Sequence, residues 1–465
     1  MSEQKEYILN TFEKMVINAS QCGDYLVMGT CFFQGRDLNS KLDQNIAFEA
    51  LKKLQIRHEI LRSYLKVSES SMYFVPHDFD VSDKIIFEWL DLSHEEVDRE
   101  KLMSETGKFN SILFSHGNKE LLWRAQIIEY KKDNQFKYVL NFVFFGIADG
   151  MFSSSILVEL VNIINSLESR QEVDLTRVEI TENMNILCQE RGLWKDSHAE
   201  MVRKMNQRDL AKFNMSNGLK DNESGFQLDM FYLDNGTSSK IMSVSKQNKV
   251  RLTSYFYAAA FYALKKLYDE NKLVFPDRVT CELPVCLRFR YEPKLDFNQS
   301  RLHTTMVLFS TEKENFGEFK NFWEDSRYLQ GLIVENTSTE TGTLFSLSHS
   351  EDLEEFNKVF QNCKNLDEAL EILSQGVMSD LALSNLGAYV NDNVKEIGGV
   401  YTIDEMFCTD PVNSKPSISC GLIIHLIFWK GKIMIDLGAN KYTIGSKYFK
   451  RYKQHLLDVI NETLA

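Results

Sequence analysis

Only six prolines occur in 465 residues, too few for rigid proline-rich linkers between separate modules, so the folded units must pack against one another. The eight cysteines (Cys22, Cys31, Cys188, Cys281, Cys286, Cys363, Cys408 and Cys420) include no pair at the two-residue gap of zinc ribbons and dithiol redox motifs, which argues against both chemistries. They read as reduced, buried thiols, and no metal site is expected. Apolar runs are short as well. The longest, 421-GLIIHLIFW-429, falls far below the roughly 18 residues of a membrane span, and the charged start MSEQKEYILNTFEKM lacks the apolar core of a secretory signal. The expectation is a cytoplasmic protein with no membrane span. Basic charge is scarce too: 53 Lys and Arg stand against 66 Asp and Glu, a net charge of −13, which argues against nucleic acid as the main partner. P-loop spacing, G-x-G-x-x-G and the G-x-S-x-G elbow are absent, so no nucleotide cofactor or serine-hydrolase triad is indicated.

The chain is rich in core-forming residues: 43% are hydrophobic, and there are 32 Phe and 18 Tyr. Length alone, at about 150 residues per domain, suggests about three units. The order of elements points instead to two. Residues 25–35 read as a strand, and Leu38, Leu42, Ile46, Leu51 and Leu54 line one side of a helix over 38–58. The runs 121-LLWRAQIIEY-130 and 136-FKYVLNFVFF-145 predict a hairpin across 131-KKDNQ-135. The second strand then delivers Asp149 and Gly150 to a helix over 151–167, where Ser153, Ser154 and Ser155 could cap the first turn or donate to an oxyanion. A polar loop over 214–224 separates this from a similar pattern. There follow a helix over 253–270 opening on a Thr253 cap, strands over 278–290 and 302–310, an acidic helical region over 351–376 and a strand over 381–389. A strand pair is joined across Lys430 and Gly431, and a helix closes the chain over 446–464. The boundaries expected are an N-terminal lobe over 1–180, a crossover and linker over 181–235, and a C-terminal lobe over 236–465. The class is α/β, each lobe a mixed sheet with flanking helices.

Five segments in order resemble the chloramphenicol acetyltransferase-like superfamily, which includes condensation domains, plant acyltransferases and alcohol acetyltransferases. These are 54-LQIRHEILRSYL-65, 121-LLWRAQII-128, 144-FFGIADG-150, 283-LPVCLR-288 and 384-SNLG-387. The third stands where that family carries His-His-x-x-x-Asp-Gly. The resemblance spans roughly residues 20 to 460. It implies two similar lobes with a channel at their interface, an acyl donor of the acyl-CoA type as co-substrate, and a small-molecule alcohol or amine as acceptor. No bound cofactor is implied, and no motif identifies a protein partner.

Where the family has its two histidines, this chain has Phe144 and Phe145. In the family the second histidine takes the proton of the acceptor, and a phenyl ring has no lone pair for that work. Loss of a positioned base typically costs about 10²–10⁴ in rate. The resemblance therefore implies either an acyltransferase impaired or working through another base, or a non-catalytic protein that binds an acyl ligand or a protein partner in the channel. It gives Asp149 a structural role, paired with Arg288; Arg290, two residues along the same strand face, is the alternative. Gly150 allows a close turn into the helix. Ser384 and Asn385 either approach the channel or bond their own turn. Among the histidines, His303 is the best replacement base, although an ordinary half-buried strand residue fits it better. His58 reads as a helix-end residue, and His425 as core or edge.

Overall fold

The computed structural model describes residues 5–21, 25–68, 71–77, 81–112, 114, 119–195, 219, 225–312, 319–339, 344, 351–363, 368, 379–388, 392, 395–411, 420–441 and 443–465. The first part of the chain forms β1 (Tyr7–Ile8), α1 (Thr11–Gln21), β2 (Val27–Gly35), α2 (Gln44–Arg57), β3 (Ser63–Val67), β4 (Met72–Pro76), β5 (Phe87–Asp91), α3 (Arg99–Asn110), β6 (Trp123–Lys132), β7 (Gln135–Phe144), α4 (Gly150–Glu168) and α5 (Met184–Glu190). The second forms β8 (Phe226–Leu233), α6 (Asn235–Gln247), α7 (Leu252–Glu270), β9 (Arg278–Cys286), β10 (Thr304–Glu312), α8 (Phe322–Asn336), α9 (Glu351–Asn362), β11 (Ser379–Gly387), β12 (Tyr401–Thr409), β13 (Cys420–Trp429), β14 (Lys432–Asn440) and α10 (Ser446–Leu464).

Two mixed sheets carry the two lobes, in the orders β12-β2-β7-β6-β5 and β10-β9-β11-β13-β14-β8. A small antiparallel sheet, β1-β4-β3, lies beside the first. Two connections depart from the expected boundaries. Strand β8, inside the stretch read as a linker, pairs antiparallel with β14 and edges the second sheet. Strand β12, although it lies within 236–465, pairs antiparallel with β2 and edges the first sheet. The rest of the expected 214–224 loop apart from residue 219, and the helical expectation over 364–367 and 369–376, lie outside the described residues, as does Cys22.

Local chemistry explains the shifts at element ends. Helix α2 begins at Gln44 because the Asp43 side chain accepts from the Asn45 amide and caps it, which leaves Leu38 outside the helix and exposed. The β6–β7 turn is two residues, not five: Asp133 and Asn134 both hold positive φ, the geometry of a tight hairpin turn, so Lys131, Lys132 and Gln135 join the ladder. The turn between β13 and β14 repeats this with Lys430 and Gly431. Helix α7 starts one residue before the expected Thr253 cap, and Thr253 Oγ1 instead accepts from Asn385 Nδ2 at 3.1 Å. Helix α4 is long and apolar enough to cross a membrane by length and composition, yet 78% of its apolar window is buried against the rest of the protein, where it packs on α2, β2 and β12.

The second sheet has two different faces. Leu381, Leu383, Leu422, Ile424, Ile433, Ile435 and Leu437 point to one side, where they share a core with α7 and α10. Their neighbours point the other way, and Met230, Ile427 and Met434 among them join the core of the first lobe. Alternation along each strand thus turns one face toward the partner lobe.

Candidate active site between the lobes

Strand β7 ends at Phe144, and Phe145 extends its pairing through an N–H donated to the Leu122 carbonyl at 2.9 Å. The chain then reverses at Gly146, whose φ of +66° disfavours any side chain and whose missing Cβ leaves room for Ile17. This carries Asp149 to the N-cap of α4, where its Oδ1 accepts from the Phe152 amide at 3.0 Å. The three serines that follow do not cap: Ser154 and Ser155 donate back to the Gly150 and Phe152 carbonyls.

Asp149 is engaged on its other oxygen as well. Oδ2 accepts from Arg288 Nη1, from the His303 amide at 3.0 Å and from Thr304 Oγ1 at 3.2 Å. Arg288 is fully buried, and its Nη2 donates to the Gln299 and Arg301 carbonyls. Burial works against the guanidinium cation, but the Asp149 carboxylate outweighs it and holds the Arg288 pKa above its ordinary value. Arg290 turns elsewhere and donates to the Thr337 carbonyl. The ion pair therefore joins the segment just after β9 of the second lobe to the start of α4, and between the two candidate partners it selects Arg288.

Beside this pair lies a cavity of about 320 Å³, lined by α1, the start of α4, β9, β10, β11, the end of β12 and the middle of β13. Asp149, Gly150, Ser384 and Asn385 all line it. Gly150 has no unusual backbone angle; a Cβ there would stand 3.2 Å from Cys408 Sγ and from Leu386, so its role is close approach between lobes. Asn385 does both things proposed for it, accepting from the Gly387 amide at 2.9 Å in its own turn while lining the cavity. The Ser384 hydroxyl makes no hydrogen bond to a described residue. At the mouth, Arg251, Thr253 and Asn385 continue onto a second surface that carries Lys246.

Four residues weighed in the sequence lie off the cavity. Phe144 and Phe145 are fully buried in the first lobe's core, with Phe145 packed 4.9 Å from Phe114 and Phe144 4.8 Å from Phe142, centroid to centroid. His303 is fully buried too: Nε2 lies 2.7 Å from Thr181 Oγ1 and Nδ1 3.4 Å from the Tyr291 hydroxyl. Burial, together with the Arg288, Arg301 and Arg191 charges, pushes its pKa well below the ordinary value. As a replacement base it is corrected: it is a neutral, locked imidazole outside the cavity. His58 is buried against Glu159 at 3.0 Å, a packed pair at the end of α2.

The cavity instead contains a histidine that the sequence pattern assigned to core or edge. His425 on β13 lines it together with Asp410, and Nε2 lies 3.3 Å from Asp410 Oδ2. Register places Ser384 on β11 and Asp436 on β14 directly beside His425, and Glu282 on β9 beside Ala382, two residues before Ser384 on the same face. One face of the sheet thus presents Glu282, Ser384, His425 and Asp436 across four adjacent strands. Burial would lower the His425 pKa, but the Asp410 hydrogen bond and the Asp410, Asp436 and Glu282 charges hold it above its ordinary value. Burial also pushes Glu282 up to about 7, opposed by the hydroxyl of Ser379, and Asp436 up to about 7, opposed by His425. The two cavity cysteines are poor nucleophiles, because burial raises the pKa of both Cys286 and Cys408. Among the described residues no group of three His, Cys, Asp or Glu side chains could hold a metal ion.

No protein-family model and no curated protein matches the sequence. Solved structures do match along nearly its whole length. Trichothecene 15-O-acetyltransferase from Fusarium sporotrichioides is similar at 11% identity and a TM-score of 0.70, covering 99% of this chain and 95% of that one. The first condensation domain of the CDA synthetase is similar at 11% identity and 0.67, covering 99% and 96%. The epimerization domain from the third module of tyrocidine synthetase B stands at 12% and 0.65, covering 99% and 97%. The chain has the two-lobed α/β fold of condensation domains and acetyltransferases of the chloramphenicol acetyltransferase-like type. It is an acyltransferase-fold protein in which Phe145 is fully buried.

Proposed function

We propose that this protein binds an acyl thioester of the acyl-CoA type in the cavity between its lobes, and that position 145 takes no part in any proton transfer to or from that ligand. The observation that carries this reading is the separation of the two features: the cavity is open beside Asp149, while Phe145 lies outside its lining, in the core against Phe114. A volume near 320 Å³ lies within the range of about 300–1,000 Å³ of small-molecule sites. Its walls mix apolar and polar groups: Leu283, Val285 and Met306 suit an acyl chain, and Lys246 and Arg251 at the mouth suit an anionic headgroup.

The test is calorimetric titration with S-octyl-coenzyme A, a thioether that cannot be cleaved. Saturable binding is expected, weakened at least about tenfold, or 1.4 kcal/mol, by Ser384→Trp, which fills the cavity. Absence of saturable binding by the wild-type protein removes the reading.

A further inference from the structure

The cavity wall contributed by the second lobe carries a histidine that lies outside the 144-FFGIADG-150 segment. His425 is 2% exposed and lines the cavity, and its two nitrogens are in unlike surroundings. Nε2 faces the Asp410 carboxylate at 3.3 Å; Nδ1 is buried and has no hydrogen-bond partner among the described residues. A carboxylate beside one ring nitrogen draws the proton of the neutral imidazole to that nitrogen, so the lone pair is left on Nδ1. A buried acceptor without a partner is costly, on the order of 1–3 kcal/mol, and beside a cavity a catalytic role is one explanation for keeping it. The neighbouring Ser384 hydroxyl also lines the cavity and makes no bond to a described residue. Around them stand Asp410 beyond the end of β12, Glu282 on β9 and Asp436 on β14, the charged groups that act on the ring.

We propose that His425, oriented by Asp410, is the acid–base residue of this cavity. The inference rests on the acyl-thioester reading above. As the hydroxyl or amine of an acceptor attacks the thioester carbonyl carbon, Nδ1 takes its proton and the new C–O or C–N bond forms. When the tetrahedral intermediate collapses, the C–S bond breaks and the imidazolium returns that proton to the departing thiolate, so a free thiol is released and the ring is restored. Asp410 keeps its proton balance throughout and stabilises the transient imidazolium. Phe145, His303 and the raised thiols of Cys286 and Cys408 supply no such group.

The experiment follows free-thiol release from acetyl-, butyryl- and octanoyl-CoA, with water, primary alcohols and primary amines as acceptors, alongside S-octyl-coenzyme A binding. Wild-type protein is expected to release thiol. His425→Gln should lower kcat by about 10²–10⁴ while thioether binding stays within about threefold of wild type. Asp410→Asn should lower kcat by less and move the acidic limb of the kcat/KM profile to lower pH, because the ring loses the carboxylate that raises its pKa. If the wild type binds the thioether but releases no thiol with any acceptor, the inference is overturned while the binding reading stands. Wild-type turnover by His425→Gln overturns it as well. Should that variant fail to fold, judged by lost thioether binding, Asp410→Asn decides: an unchanged rate and pH profile overturn the proposal. If the wild type does not bind the thioether, the binding reading fails and the inference falls with it.

Discussion

The corner made by Phe144, Phe145 and Asp149 and the wall made by Glu282, Ser384, His425 and Asp436 meet at the same lobe interface, but only one of them can exchange a proton. In the corner the aromatic rings are sealed into the first lobe's core, and the one ionisable group, Asp149, has both oxygens engaged. On the wall, two carboxyls that burial pushes up to about 7 share one face of a sheet with an imidazole held above its ordinary value, and a hydroxyl stands beside them unbonded to any described residue. The contrast assigns the Asp149–Arg288 pair to architecture. It joins the lobes whether or not chemistry occurs nearby, so its persistence carries no information about turnover.

Substitution of the two arginines should give the widest separation. Arg288→Met strands the buried Asp149 carboxylate and should cost about 3–5 kcal/mol in urea unfolding, against about 1 kcal/mol for Arg290→Ala, which loses one bond to a carbonyl. Equal costs would mean that the ion pair does not hold the lobes. Next, Phe145→His places a polar ring in an apolar pocket and should cost about 1–3 kcal/mol. It should leave thiol release from acyl-CoA within a few-fold of wild type; a gain of tenfold or more would show that the corner still opens onto the cavity.

The wall is tested by pH. The folded Glu282 carboxyl titrates at about 7 against 4.5 unperturbed, so the native state holds a proton that the unfolded chain gives up. Wild-type stability from this group therefore falls as pH rises from about 4.5 to about 7, and the loss persists above. Glu282→Gln removes it, and urea midpoints of the two proteins should diverge over that window in favour of the variant, by on the order of 1–3 kcal/mol. Parallel curves would show that Glu282 is not buried as described. Ser384→Ala should be the mildest change, within about 0.5 kcal/mol of wild type in stability, with a severalfold rise in the KM for acyl-CoA.

Much of the fold was legible because alternation and periodicity report burial directly. The β6–β7 hairpin, α4 and α10 follow from their apolar spacing, and the family resemblance supplied the lobe arrangement. Strand β12 was missed: 401-YTIDEMFCT-409 alternates weakly, and its partner β2 lies more than 360 residues earlier, so no local pattern shows the pairing. His303 looked available because sequence shows a strand but not the Thr181 and Tyr291 side chains that close on it from elsewhere. The signal for His425 was present and unused. The two-residue turn at Lys430 and Gly431 pairs Trp429 with Lys432, and so sets His425, inside the apolar run of β13, opposite Asp436, the one carboxylate of β14. Two such residues brought face to face in a buried ladder need a reason beyond packing.

Strand β12 also changes what motion between the lobes would mean. It is laced into the first sheet by its register with β2, while Trp429 and Lys430 of the second lobe donate to its Ile403 carbonyl. Just past its end sits Asp410, the partner of His425. The carboxylate therefore travels with one lobe and the imidazole with the other. Any opening that slid the sheets apart would lengthen the Asp410–His425 bond, lower the basicity of the ring and disarm it, whereas closure would rearm it. The contact between Asp410 and His425 thus spans the two lobes, and the charge that Asp410 lends the ring depends on how the two sheets are held together.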